Sequence, residues 1–393
     1  MDLREMLAVL LLWFLSLSID GVRGVTLSRE EDLELEKQIK LLNKPAIKTL
    51  LTKDGEQYDC VDFYEQPGFD HPSLKNHKYE YKMNVNASRG LTYKDSSSFL
   101  NPKNIWKNGK GCPMGTVPIK RTTKDDLIRA KQAAEVYQAR YRTQTPGNPG
   151  VHYSVVQMDK MDGKYYGGGM WVTLWNPPVE GSQFSGAHVM VRNGIESIEA
   201  GWMVNPGLYG DTQTRLFTYT NAGNSHCFNT YCPGYIIDYP DIPIDYVFKE
   251  VSRRGHVSVG VHYFIQRDKL NGNWFFQIGP DSTEIGFWPE KIFTSGLGQV
   301  ARDVEWGGEV YSPIDQPSPP MGSGGNVFQM DTTRDASCQS IKYIDENYNI
   351  VEADTLRYFL DAPGDYLLKD LGHKGPEFGR LILWGGEGGY VGE

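Results

Sequence analysis

After its first fifteen residues the 393-residue chain has no apolar run long enough to cross a bilayer core of roughly 30 Å. Basic charge is neither in excess nor clustered. The 40 Lys and Arg against 49 Asp and Glu leave a net charge of −9, with no basic block between aromatics, which disfavours nucleic acid and membrane partners. Cysteine is scarce. The five present form no CxxC pair and have no histidine nearby at ligand spacing, which argues against structural zinc. HExxH, Gly-x-Ser-x-Gly and GxxxxGK[ST] are all missing, so zinc hydrolysis, serine-triad hydrolysis and nucleotide cleavage have no support. Gly167-Gly168-Gly169 precedes a strand instead of opening a helix, so it offers no dinucleotide site and reads as a bend or bulge. Neither a cofactor nor a metal is expected.

The one long apolar run, residues 6–15 behind Arg4, is followed by small and polar residues to Gly24. This is a secretory signal pattern with cleavage expected after Gly24, leaving a secreted, extracellular protein. Asn86-Ala87-Ser88 is a glycosylation acceptor usable on that route. Cys227 and Cys232 bracket a four-residue loop that a short-range disulfide would pin in an oxidising lumen. Of the other three cysteines, at least one must lack a partner within the chain.

Two boxes with capping spacing, 28–31 and 123–126, open helices running to about 42 and 142. The turn-rich stretch 145–150 then ends the helical character. Beyond it, strands are expected at 152–157, 170–175, 198–204, 216–219 and 257–266, with Asn271-Gly272 turning the last into a hairpin with 274–278. With 9 Trp, 23 Tyr and 16 Phe and no alternating helices, the body reads as an antiparallel β-sandwich or barrel. Gly322-Ser323-Gly324-Gly325 reads as a turn.

Two carboxylates stand out. Period two places Ile198, Ala200, Trp202 and Val204 on one strand face and Glu199 with Gly201 on the other. Glu309 follows Gly307-Gly308, which permit close approach to the backbone. Either could simply be a solvated strand residue. As a pair they could divide acid and base roles.

The motifs Cys112-Pro113-Met114-Gly115, Gly201-Trp202-Met203-Val204-Asn205-Pro206, Leu208-Tyr209-Gly210-Asp211, Cys232-Pro233-Gly234-Tyr235, Ile285-Gly286-Phe287-Trp288-Pro289 and Trp306-Gly307-Gly308-Glu309-Val310 follow one another in the order found in the plant neprosin family, which the chain resembles. Tyr58-Asp59-Cys60 and Gln66-Pro67-Gly68-Phe69-Asp70-His71-Pro72 resemble that family's activation peptide. The resemblance implies a secreted glutamic endopeptidase that cleaves after proline in acid and is made as a zymogen. It also implies a two-sheet antiparallel β-sandwich (147–393) behind a mixed α/β propeptide (25–146) that inhibits it. The catalytic glutamates map onto Glu199 and Glu309, with Glu196 and Glu305 as near rivals. Trp202, Tyr209 and Trp306 could offer flat surface to a proline ring, or could be packed core. Cys338 lacks the downstream cysteine often present in members, so a second disulfide is not assigned. Proline-containing peptides and the chain's own propeptide are the implied partners. An inactive, neprosin-like extracellular binding or cell-wall protein is the alternative, and a glycoside hydrolase, which also uses two carboxylates, is a more distant one.

Overall fold

The computed structural model describes residues 28–75, 100–142, 150–160, 163–223, 225–325 and 330–390. The expected signal peptide, the Asn86 acceptor and the boundary near 146 lie outside them. Helix α1 (Arg29–Leu42) begins as its capping box requires: the Ser28 hydroxyl accepts from the Glu31 amide at 3.2 Å and Glu31 accepts from the Ser28 amide at 2.8 Å. Helix α2 (Lys124–Arg142) is capped in the same way by Thr123 and Asp126. The chain divides after Gln38 into two compact units, the second running from Ile39 onward.

Within that second unit, β1 (Lys48–Leu51), β2 (Gln57–Asp62) and β3 (Thr116–Lys120) form a small antiparallel sheet. After residue 150 come β4 (Val151–Met158), β5 (Gly167–Thr173), β6 (Phe184–Asn193), β7 (Glu196–Val204), β8 (Arg215–Ala222), β9 (Ser225–Phe228) and β10 (Ile236–Ile237). Then follow β11 (Gly260–Arg267), β12 (Trp274–Ile278), β13 (Thr283–Trp288), β14 (Asp303–Tyr311), β15 (Ala336–Ile344), β16 (Ile350–Glu352), β17 (Leu356–Leu360), β18 (Leu367–His373) and β19 (Arg380–Gly385). They build two antiparallel sheets. One has the order β17-β4-β14-β6-β7-β8-β9, and the other β10-β13-β12-β11-β5-β15-β19-β18, with β16 beside β15.

Strand alternation explains why the two sheets stack. Ile198, Ala200, Trp202 and Val204 of β7 and Val304, Trp306 and Val310 of β14 face inward and are fully buried against the second sheet. Trp202 reaches across it, donating from Nε1 to the Thr173 carbonyl at 3.0 Å and lying 6.3 Å from the Trp384 ring. Trp202 and Trp306 therefore belong to the core, on the side of their strands away from the glutamates, and do not line a cleft. One smaller expectation also changes. Strand β11 begins at Gly260, leaving Val257 86 % exposed. Gly167, Gly168 and Gly169 lie within strand β5, with a register shift in the partner strand β15 between Gln339 and Lys342 beside Gly169, and side chains at the three positions would strike Ile344, Val304 and Phe264. The hairpin at Gly272 and the turn at Gly322 form as expected.

Cys227 and Cys232 are bridged, and Cys60 is bridged to Cys112 with Cα atoms 5.5 Å apart. Spacing alone could not suggest the second bridge, because 52 residues separate its cysteines and only the pairing of β2 with β3 brings that part of the chain together. Cys338 is free and buried.

Candidate active site

On the outer face of the seven-stranded sheet, β6 lies between β7 and β14. His188 of β6 has Gly201 of β7 as its partner on one side and Gly307 of β14 on the other. No side chain stands beside the imidazole in that row. The glycines are required by more than access: a Cβ at Gly201 would overlap the Ala187 carbonyl, and Gly307 has φ +144°. Into this clearing reach Glu199, two residues before Gly201, and Glu309, two after Gly307. Both are buried, and oxygens of their carboxyl groups lie within 4.8 Å of each other.

A third side chain enters from helix α2. The Tyr137 hydroxyl lies 2.8 Å from Glu199 Oε2 and also contacts Glu309 Oε1. Tyr137 thus bridges the two carboxyl groups through its hydroxyl. Its ring is held by Tyr219, Phe228 and Phe184, with centroids 4.6, 4.8 and 5.4 Å away. Helical spacing places Ala130 and Ala134 on the same buried face, letting the helix lie close to the sheet. Tyr209, from the short helix Pro206–Tyr209, belongs to this aromatic cluster and lies under the Arg215 guanidinium, 5.1 Å from ring to carbon.

The floor of the clearing is charged. His188 Nε2 pairs with Glu305 Oε1 at 2.9 Å, its Nδ1 lies 3.7 Å from Glu309 Oε1, and Gln157 Nε2 donates to Glu305 Oε2. Burial opposes a charge on His188, yet the carboxylates of Glu309, Glu305 and Glu199 outweigh it and raise its pKa. Burial likewise opposes ionisation of Glu305, but the His188 hydrogen bond and charge hold it down at about 2. Glu305 is thus committed to an ion pair. Glu196 is also committed: it accepts from the Ser295 and Leu297 amides at 2.9 and 3.1 Å and fixes that loop. Sequence reasoning missed His188, Gln157 and the role of Tyr137.

His188, Glu199 and Glu309 have the spacing a cation could bridge. The Tyr137 hydroxyl fills the interval between the carboxyls and the imidazole is paired with Glu305, so no ion is assigned there.

The small sheet is tied to the sandwich by buried charge. Arg215 of β8 binds Glu56 at 2.8 Å and Asp211 at 2.6 Å, and Lys120 binds Asp245 at 2.9 Å and Glu56 at 3.1 Å. Tyr58 donates to Asp245 at 2.5 Å. Gln66, buried, exchanges two hydrogen bonds with the Ile237 backbone of β10, at 2.8 and 2.9 Å.

Solved structures of scytalido-glutamic peptidase with transition-state analogues overlap 60 % of this chain and 97–98 % of theirs at 6 and 7 % identity, with TM-scores of 0.33 and 0.34. An eqolisin-family peptidase, SCP-B with a bound tripeptide, overlaps similarly at 7 % identity and a TM-score of 0.32, and likenesses this slight carry no argument. The profile for the neprosin activation peptide matches residues 49–162 and that for neprosin matches residues 181–387, more than half of the chain. The chain belongs to the neprosin family.

Proposed function

We propose that the chain is the zymogen of a secreted glutamic endopeptidase that cleaves after proline at acidic pH, with residues 25–146 as its inhibitory propeptide. One observation carries the reading: two buried carboxyl groups on different strands share a single hydroxyl supplied by the leader. With Tyr137 withdrawn, a water takes the place of that hydroxyl between Glu199 and Glu309. The carboxylate member of the pair removes a proton from the water as its oxygen attacks the peptide carbonyl. The protonated member donates to the carbonyl oxygen; the carboxyl that took the water's proton then gives it to the leaving nitrogen as the C–N bond breaks, and the other carboxylate recovers a proton from a hydroxyl of the tetrahedral carbon as the new carboxyl group forms. Acid favours the singly protonated pair that this sequence needs.

Proline specificity is supported by what holds Tyr137. Phe184, Tyr219 and Phe228 surround a flat ring beside the carboxyls, and a pyrrolidine ring presents a similar compact apolar body. The test is to hold the full-length chain at pH 7 and in acid, following its mass and its cleavage of a proline-containing peptide together. Loss of the leader accompanied by cleavage after proline is expected. An intact chain that is fully active in acid would refute the zymogen reading, and a released body that cleaves no peptide would refute the peptidase.

A further inference from the structure

The proton transfers proposed for Glu199 and Glu309 leave His188 without a task, although this histidine is fully buried on β6, between the strands that carry them. Its two ring nitrogens differ in what they meet. Nε2 lies 2.9 Å from Glu305 Oε1, and the ionised Glu305 fixes it as a donor. Nδ1 makes no hydrogen bond among the described residues, because Glu309 Oε1, at 3.7 Å, is beyond that range.

The ring is surrounded by carboxyl groups. Glu305 and Glu309 of β14 and Glu199 of β7 together keep the imidazole protonated against the opposition of burial, so it is charged throughout the acid range. Nδ1 then carries a hydrogen as well. A buried N–H without an acceptor costs on the order of 1–3 kcal/mol, a cost removed when a ligand brings an oxygen to it. The sheet leaves room for that oxygen. Gly201 and Gly307 are the strand partners of His188 on either side, each about 4.8 Å away. Both keep the row clear for the reasons of backbone overlap and positive φ already given.

We propose that His188 Nδ1–H donates a hydrogen bond to the oxygen of the scissile carbonyl, stabilising the charge that develops there as water attacks. The role rests on the peptidase reading and deepens it. The two glutamates move the protons, and His188 supplies a donor already fixed in a buried floor, where stabilising the charge requires no reorganisation. Its own proton stays on nitrogen, since the carbonyl oxygen is protonated by the carboxyl.

Two substitutions separate this role from mere support of Glu305. In His188→Asn the amide nitrogen falls near the place of Nδ1 and Glu305 loses its partner. In His188→Gln the amide nitrogen falls near the place of Nε2 and keeps Glu305 paired, but no donor remains at Nδ1. Acid-treated proteins are compared on one proline-containing peptide. His188→Gln should lose about 10²–10³-fold in kcat with KM little changed, as expected for one oxyanion donor, and His188→Asn should retain on the order of tenfold more activity. An equal loss, the reverse order, or an undiminished kcat in His188→Gln overturns the proposal.

If either variant fails to fold, the wild type decides. With isotope-labelled histidine, the Nδ1–H proton resonance of His188 should move downfield when a proline peptide with a phosphinate in place of the scissile amide binds. An unshifted resonance overturns the proposal. A wild type that cleaves no peptide refutes the peptidase reading and the His188 role with it, whereas wild-type cleavage with any of the overturning results refutes the His188 role alone.

Discussion

The Tyr137 hydroxyl sits 2.8 Å from Glu199 Oε2, across a junction between a leader helix and a strand of the sandwich. The contact is polar, buried and shared with Glu309, so each partner is exposed to a cost if the other leaves. Removing Tyr137 opens the aromatic recess and leaves two carboxyl groups needing a water. On the proposed zymogen reading, this one position links inhibition to catalysis.

Tyr137→Phe keeps the ring in its recess and deletes the hydroxyl. Losing a hydrogen bond to a charged group costs about 1.5–3 kcal/mol, so the leader should release at a higher pH than in the wild type. The pH midpoint of leader loss, followed by mass, checks this; an unchanged midpoint would show that the hydroxyl contributes nothing to latency.

Acid release should depend on Glu56. Burial raises its pKa, but the Arg215 hydrogen bond and the Lys120 and Arg215 charges outweigh burial and hold it below the ordinary 4.5. A depressed value means that Glu56 stabilises docking above pH 4.5 and loses that contribution as pH falls through its lowered value. Asp245 works in the opposite sense, because burial raises its pKa above 3.8. Glu56→Gln should therefore weaken docking by on the order of 2 kcal/mol at neutral pH and flatten the pH dependence of release. A midpoint and slope matching the wild type would contradict the assignment.

The His188–Glu305 pair should outlast that release. Glu305, depressed to about 2, gives stability that is complete above 4.5 and lost only as pH falls toward 2. His188, raised above 6.5, gives stability that is complete below 6.5 and lost as pH rises through its higher value. Both contributions are complete between pH 4.5 and 6.5. Glu305→Gln should cost about 3–5 kcal/mol of stability, as expected when one partner of a buried pair is removed. It should still cleave peptide where it folds, because Glu305 does not touch the Tyr137 hydroxyl. Thermal unfolding measured beside peptide cleavage separates this from a direct catalytic role, which would abolish activity without the stability loss.

Peptide mapping without reduction should recover Cys60–Cys112 and Cys227–Cys232 as linked pairs. Cys338 should resist alkylation until the protein is unfolded, because it is buried and its thiol pKa is pushed up by that burial. Rapid labelling of Cys338 in the native protein would contradict its placement.

Much of the fold was legible because strand alternation and capping boxes are local. The faces of β7 and the starts of α1 and α2 follow from a few neighbouring residues. The motif around Trp202 and Trp306 left open whether those rings meet substrate or pack in the core, since a pattern that marks a site does not say which of two faces each aromatic takes. Period two already placed Trp202 opposite Glu199. His188, Gln157 and Tyr137 were not legible as site residues, since they meet the glutamates only through sheet register and helix docking, which join positions between 62 and 172 residues apart in the Tyr137 contacts alone.

The most direct measurement compares acid-treated wild type, Glu199→Gln and Glu309→Gln on one proline-containing peptide, with products identified by mass spectrometry and folding checked by circular dichroism. Glutamine is nearly isosteric but cannot ionise. The wild type should cleave after proline, and each folded variant should lose cleavage by at least about a hundredfold, since general acid–base groups contribute on that order or more. Undiminished cleavage by either folded variant would show that the two glutamates are not the catalytic pair.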